Sequence, residues 1–317
     1  MITSRAITLV TAALLTACEQ PWELLETATT VETLRTIHAA EDGTVFMGGT
    51  RIHRIKDQDV TERINIISAT GGLVENARIE GVLAQTQDVY AWIPGALLRL
   101  VGNSFSTQPL PRGVDNQPIA DVWSPSALVP FVNDTLVLAS SVGGRARLFE
   151  GNARAGWAEV REIEGSATEV VWLTRGQSGS VFGGDGRSGA STLVERTSAG
   201  WRRIAAFRQT GVFRAAASGN RLFTLAMDGV RGFNLDTFEE ENDVSMEGTF
   251  FDICTFPDGR AVMVGPPQGP LFPLWILEER GWANVNVGTR ETLRSVHCGD
   301  DGKILAVGDH GMAVRQR

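Results

Sequence analysis

The chain has 317 residues, 43% hydrophobic and 21% charged, with 35 glycines; these values exclude a disordered chain and leave room for one large all-β domain or two ordinary ones. Its net charge is −8, and no run of Lys and Arg forms a cationic face, so nucleic acid is excluded as a partner.

The first eighteen residues, MITSRAITLVTAALLTAC, carry one charge, Arg5, before an apolar run from Ala6 to Leu15. That pattern predicts a secretory signal, too short to span a membrane as a permanent helix. Leu15-Thr16-Ala17-Cys18 resembles the lipoprotein box of bacterial lipoproteins. The resemblance implies cleavage after residue 17, lipidation of Cys18, a short tether over residues 18–21, and a folded domain over 22–317. Glu19, rather than the family's usual inner-membrane aspartate, points to the outer membrane. The membrane is therefore an expected partner through the lipid anchor, and an envelope protein is an expected second one.

Beyond the tether, one pattern recurs: a turn, an alternating apolar run, a Gly-containing turn and a second alternating run. The units begin at Asp42, Asp88, Asp134, Ser178, Gly219, Asp258 and Asp301, in steps of 46, 46, 44, 41, 39 and 43 residues. Period-two alternation predicts strands, and the glycines supply hairpin turns. Gly156-Trp157, Gly200-Trp201 and Gly281-Trp282 open a further strand in phase with the hairpins. The predicted fold is all-β: a seven-bladed β-propeller of four-stranded antiparallel blades.

TLRTIHAAEDGTVFMGG (33–49) is nearly repeated as TLRSVHCGDDGKILAVG (292–308). The last unit stops one strand short, and Trp22-Glu23-Leu24-Leu25 is a spare strand at the other end. The ring is therefore predicted to close with the N-terminal strand completing the last blade, which leaves few open edges. The segments LRSV (293–296) and AVGDHG (306–311) resemble propellers related to photosystem II stability factors and BNR-repeat proteins. The Asp-box motif that often accompanies BNR repeats is missing from the sequence, so a sialidase activity is not implied.

Candidate chemistry is sparse. Cys254 and Cys298 lie 44 residues apart near the ends of corresponding strands. A disulfide fits an oxidising compartment, although alignment sets Cys254 against His297, one residue off; two buried thiols are the alternative. Arg35 and Arg294 match in position, as do His38 and His297. They are candidates to bind a carboxylate or phosphate at a tunnel mouth, or to pair with the turn residues Asp42 and Asp301. The four histidines show no metal-ligand spacing, and no nucleophile elbow occurs, so no metal, cofactor or catalytic residue is assigned. Two functions fit: a non-catalytic binding or assembly scaffold, and a hydrolase or lyase acting on a glycan.

Overall fold

The computed structural model describes residues 22–25, 32–56, 60–85, 88–109, 111–113, 117, 119, 123–142, 145–160, 170–176, 179–184, 191–207, 209 and 211–316. The signal segment and Cys18 lie outside the described residues. The chain enters as β1 (Trp22–Leu24), then runs through β2 (Thr36–Ala39), β3 (Val45–Gly48), β4 (Ile52–Lys56) and β5 (Val60–Ile67). The next strands are β6 (Gly81–Ala84), β7 (Val89–Ile93), β8 (Ala96–Val101) and β9 (Ser104–Thr107). Four complete sets follow. They are β10 (Trp123–Pro130), β11 (Leu136–Val142), β12 (Arg145–Asn152) and β13 (Gly156–Glu159); then β14 (Trp172–Arg175), β15 (Val181–Gly184), β16 (Ser191–Thr197) and β17 (Gly200–Phe207). The third and fourth are β18 (Arg214–Ser218), β19 (Arg221–Ala226), β20 (Gly229–Asn234) and β21 (Glu240–Glu247); then β22 (Asp252–Thr255), β23 (Ala261–Val264), β24 (Leu274–Glu278) and β25 (Gly281–Asn284). The chain finishes with β26 (Leu293–Cys298), β27 (Ile304–Gly308) and β28 (Ala313–Gln316).

The architecture is an all-β propeller of four-stranded antiparallel blades, and the first strands of successive blades pack beside one another. The expected count of seven such blades is corrected. Among the described residues five four-stranded sheets stand as separate blades, while β2 to β9 form one eight-stranded sheet in the order β2-β3-β4-β5-β9-β8-β7-β6. The cause is a parallel pairing of two outer strands, Asn65 with Ser104, Ile66 with Phe105 and Ile67 with Ser106. β5 runs past its partner β4, whose pairing ends at Ile64, and so offers free backbone groups to β9. Unpaired strand edges seek such partners.

β1 pairs antiparallel with β28, Trp22 opposite Gln316 and Leu24 opposite Val314, so the N-terminal strand completes the sheet of β26–β28. The outer strands β13, β17 and β25 each start at a glycine with positive φ (82°, 130° and 106°). That conformation is open to glycine without steric cost.

The middle strands are buried on both faces, not on one. In β27, Ile304 and Ala306 enter one core with Trp22, Val264 and Leu274, while Leu305 and Val307 enter another with Ile37, Met47 and Ile55. A period-two strand between two blades needs apolar residues at both parities. Each fully buried Val, Leu or Ile contributes about 1.5–3 kcal/mol.

Candidate functional site

At the end of the ring where the first strands finish, the tight turns follow one local rule. The carboxylates of Asp42, Asp258 and Asp301 accept the backbone N–H of Thr44 (2.9 Å), Arg260 (3.0 Å) and Lys303 (3.1 Å). The glycine after each aspartate has φ between 81° and 90°. This is Asx-turn chemistry followed by a left-handed residue. Between β10 and β11 the same bend is made by Asn133 and Asp134, at φ 51° and 59°, two of the residue types that tolerate this region best.

Three of these turns, at Gly43, Asp134 and Asp301, line a cavity of about 740 Å³. Five carboxylates and four cationic side chains line it, together with His38 and His297. Asp88, Asp301, Lys303 and Arg315 of this lining stand in ion pairs. Asp88 receives Nε and Nη2 of Arg99 at 2.8 and 2.5 Å, Lys303 lies 3.0 Å from Asp301, and Arg315 bonds to Glu23. Tyr90 also lines the cavity but is only 1% exposed; burial, then the nearby Asp88, pushes its phenol up.

His38 and His297 meet across the junction between β2 and β26, ring centroids 4.3 Å apart and planes tilted by 43°. Burial, reinforced by the neighbouring imidazole, brings His38 down to about 3. Burial brings His297 down to about 4, against an opposing pull from Asp301. Both rings are therefore neutral at neutral pH. His38 Nδ1 lies 3.3 Å from the N–H of Ala84 and 2.9 Å from the carbonyl of Ala39. With its proton on Nε2 the ring accepts from Ala84; with the proton on Nδ1 it donates to Ala39.

The two arginines of the same sequence pattern sit apart from this cavity. Arg294, at a bulge in β26, donates Nε and Nη2 to Asp309 at 2.6 and 3.0 Å, and its guanidinium lies 5.1 Å from the Phe251 ring. Arg35 donates its backbone N–H to Gly48. The structure thus brings His38 and His297 together and leaves Arg35 and Arg294 out of the cavity lining. Asp309, not Asp301, is the partner of Arg294.

Cys254 and Cys298 are joined by a disulfide with Cα atoms 5.7 Å apart. The one-residue offset in the alignment is real and general here. Asp252 and Ser295 hold equivalent positions, opposite Val264 and Val307, yet Asp252 also accepts the N–H of Val296, one residue further along (3.1 Å). Neighbouring first strands pack through side chains without a shared ladder, so equivalent positions need not face each other.

Asp252 is a residue the sequence did not single out. It accepts Ser295 Oγ at 2.6 Å and lies 3.5 Å from Arg214, tying the first strands of three successive blades together. Glu32 is another. It accepts from Thr50 Oγ1 (2.8 Å), Arg51 N–H (2.9 Å) and His53 Nε2 (3.1 Å). Burial pushes its carboxyl up, but the hydrogen bonds from His53 and Thr50 outweigh it and hold the group below its usual range. Neither residue stands in a spacing that marks it in a single sequence. Among the described residues no group of three or more His, Cys, Asp or Glu side chains could hold a metal ion.

No protein-family model matches the chain, and no curated protein matches it. Solved structures do. A catalytically inactive variant of virginiamycin B lyase from Staphylococcus aureus, with quinupristin, superposes with a TM-score of 0.69 at 11% identity, covering 93% of this chain and 98% of that one. YCF48 bound to D1 peptide gives 0.67 at 14% identity, covering 94% and 95%. The WD40 β-propeller domain of Doa1 gives 0.65 at 12% identity, covering 93% and 96%. At these identities the likeness shows the propeller fold alone, and that fold hosts a lyase, a peptide-bound protein and a WD40 domain.

Proposed function

We propose that this protein is a non-catalytic binding propeller, held at the bacterial outer membrane by lipid on Cys18, that receives a segment of an envelope protein in the cavity at the ends of its first strands. The observation that carries the binding reading is the cavity itself. It is of a volume typical for ligand sites and lined by charges of both signs, among them the paired Asp88, Asp301, Lys303 and Arg315. A peptide-bound propeller, YCF48 with D1 peptide, shares the fold. Support for the location comes from the apolar run ending at Leu15-Thr16-Ala17-Cys18, and from the Cys254–Cys298 disulfide, which fits an oxidising compartment. Acyl chains at about 0.8 kcal/mol per buried CH₂ would hold the protein at the bilayer. The single domain over 22–317 belongs to the same reading.

A photo-cross-linker placed at Gln85, which lines the cavity, should capture one envelope protein in cells. The same group at Met227, 77% exposed and outside the cavity lining, should not. Equal or no capture from both positions would remove the cavity as the binding site. Cys18→Ser should move the protein to the soluble fraction and abolish labelling by a palmitate analogue; unchanged fractionation would sink the anchor.

A glycan hydrolase or lyase is the second reading, and one observation favours it: carboxylates and two neutral imidazoles share the cavity. Against it, the tyrosine of that lining is buried and presents no ring for a sugar to stack on. Release of reducing ends from envelope polysaccharide that is lost in His38→Asn would establish the enzyme; no release at any pH from 5 to 8 would exclude glycan hydrolysis, on the range where a neutral imidazole acts.

A further inference from the structure

Of the four cationic side chains lining the cavity, two have partners: Lys303 is paired with Asp301 and Arg315 with Glu23. The other two, Arg154 in the turn between β12 and β13 and Arg175 at the end of β14, have no carboxylate partner among the described residues. They come from successive blades and both are exposed. The chain carries 37 acidic against 29 basic residues, yet among the described residues none of the acids pairs with either arginine. Across the cavity, at the junction of β2 and β26, the polar groups differ in kind. Asp300 is without an ion-pair partner among the described residues, and beside it stand His38 and His297. With uncharged rings there, the other cations of the lining are Lys303 and Arg315, both held in ion pairs.

The geometry points to the chemistry of the bound segment: it presents a carboxylate to Arg154 and Arg175, and hydrogen-bond donors to the side of Asp300 and the two imidazoles. This deepens the peptide-binding reading and rests on it. A guanidinium offers planar paired donors that match a carboxylate, and such charge-assisted bonds are the strong ones. The carboxylate has two possible sources, an acidic side chain or a chain terminus, and the same pocket chemistry serves either.

The test uses the full chain labelled with ¹⁵N at arginine Nε and three probes: acetyl-Gly-Glu-Gly-amide, acetyl-Gly-Gly-Gly with a free terminal carboxylate, and acetyl-Gly-Gln-Gly-amide. At least one acidic probe should shift the Nε–H signals assigned by Arg154→Gln and Arg175→Gln, saturating with a Kd of about 1 mM. The double variant should weaken that probe at least tenfold, and the glutamine probe should shift neither signal. The tighter of the two acidic probes names the source. Equal shifts from the glutamine probe, no shift from either acid, or undiminished binding by the double variant would overturn the proposal. Cross-linking from Gln85 separates this from the broader reading. A partner captured equally by wild type and double variant leaves the binding propeller standing and removes the carboxylate. Capture at least tenfold weaker in the double variant supports both.

Discussion

The run of strands from β2 to β5 meets its two neighbours by opposite means. On one side it joins β6–β9 at the rim, through backbone pairing of β5 with β9, segments only 39 residues apart from Asn65 to Ser104. On the other it meets β26–β28 and β1 near the axis, where His38 faces His297. There closure depends on pairing residues nearly 300 positions apart, such as Trp22 with Gln316. The rim junction adds ladder bonds to a ring already formed; the seam decides whether the ring forms. A long-range closure costs more chain entropy than a local one; Glu23 with Arg315 ties β1 to β28, and Cys254 with Cys298 ties the completed blade to the one before it.

The largest expected effect is therefore at the seam strand. Trp22 is 6% exposed and packs in the core with Val264, Leu293 and Val314. Trp22→Ala should cost about 3–5 kcal/mol in denaturant unfolding, and a loss below about 1 kcal/mol would show that closure does not depend on this strand. Next comes the disulfide. Cys254→Ser with Cys298→Ser should lower stability by about 2–4 kcal/mol, and reductant should shift the wild type's urea midpoint but not the double variant's. At the rim, Asn65→Pro lies beyond the end of the β4 pairing and removes an N–H from a stretch that pairs with β9. It should cost about 1 kcal/mol and leave a single cooperative transition; a second transition would mean that the fused sheet is itself essential to the ring.

The smallest effect is the pH dependence of the histidine pair. Above the ordinary value of 6.5, folded and unfolded chains both hold neutral imidazoles. As pH falls below 6.5 the unfolded chain binds protons that the folded chain refuses until about 4 and 3, so stability falls with pH across that window. His297→Gln should reduce the loss between pH 7 and pH 6 by about 0.7 kcal/mol. An unchanged slope would show that the two rings do not resist protonation.

Much of the fold can be read along the chain because its rules are local. The seven hairpins fall where alternation and glycine place them, from β3–β4 to β27–β28. Gly156, Gly200 and Gly281 open outer strands because a positive φ is needed there. The spare strand at Trp22 completes β28 because the last unit lacks one. What pattern alone misjudged is the count of separate blades. Whether β5 outruns β4 and meets β9 depends on where two outer strands travel in space, which no period in the sequence encodes.

The candidate site was less legible still. Matching positions drew attention to Arg35, His38, Arg294 and His297 together, but three residues along an extended strand is about 10 Å, and alternate parity turns side chains to opposite faces. So the histidines meet in the cavity while Arg294 is taken by Asp309. Arg154, Arg175 and Asp252 carry no motif and became visible only as neighbours in space.

By itself the sequence determined the strands, their turns and the closing partner, since each follows from period-two burial, left-handed glycines and a missing edge within or between neighbouring repeats. Only the tertiary structure decided which outer edges fuse, which charges are left unpaired and which residues share a cavity. The first depends on where two outer strands meet in space and the others on side chains brought together from separate blades, and in neither does spacing along the chain set distance in the fold.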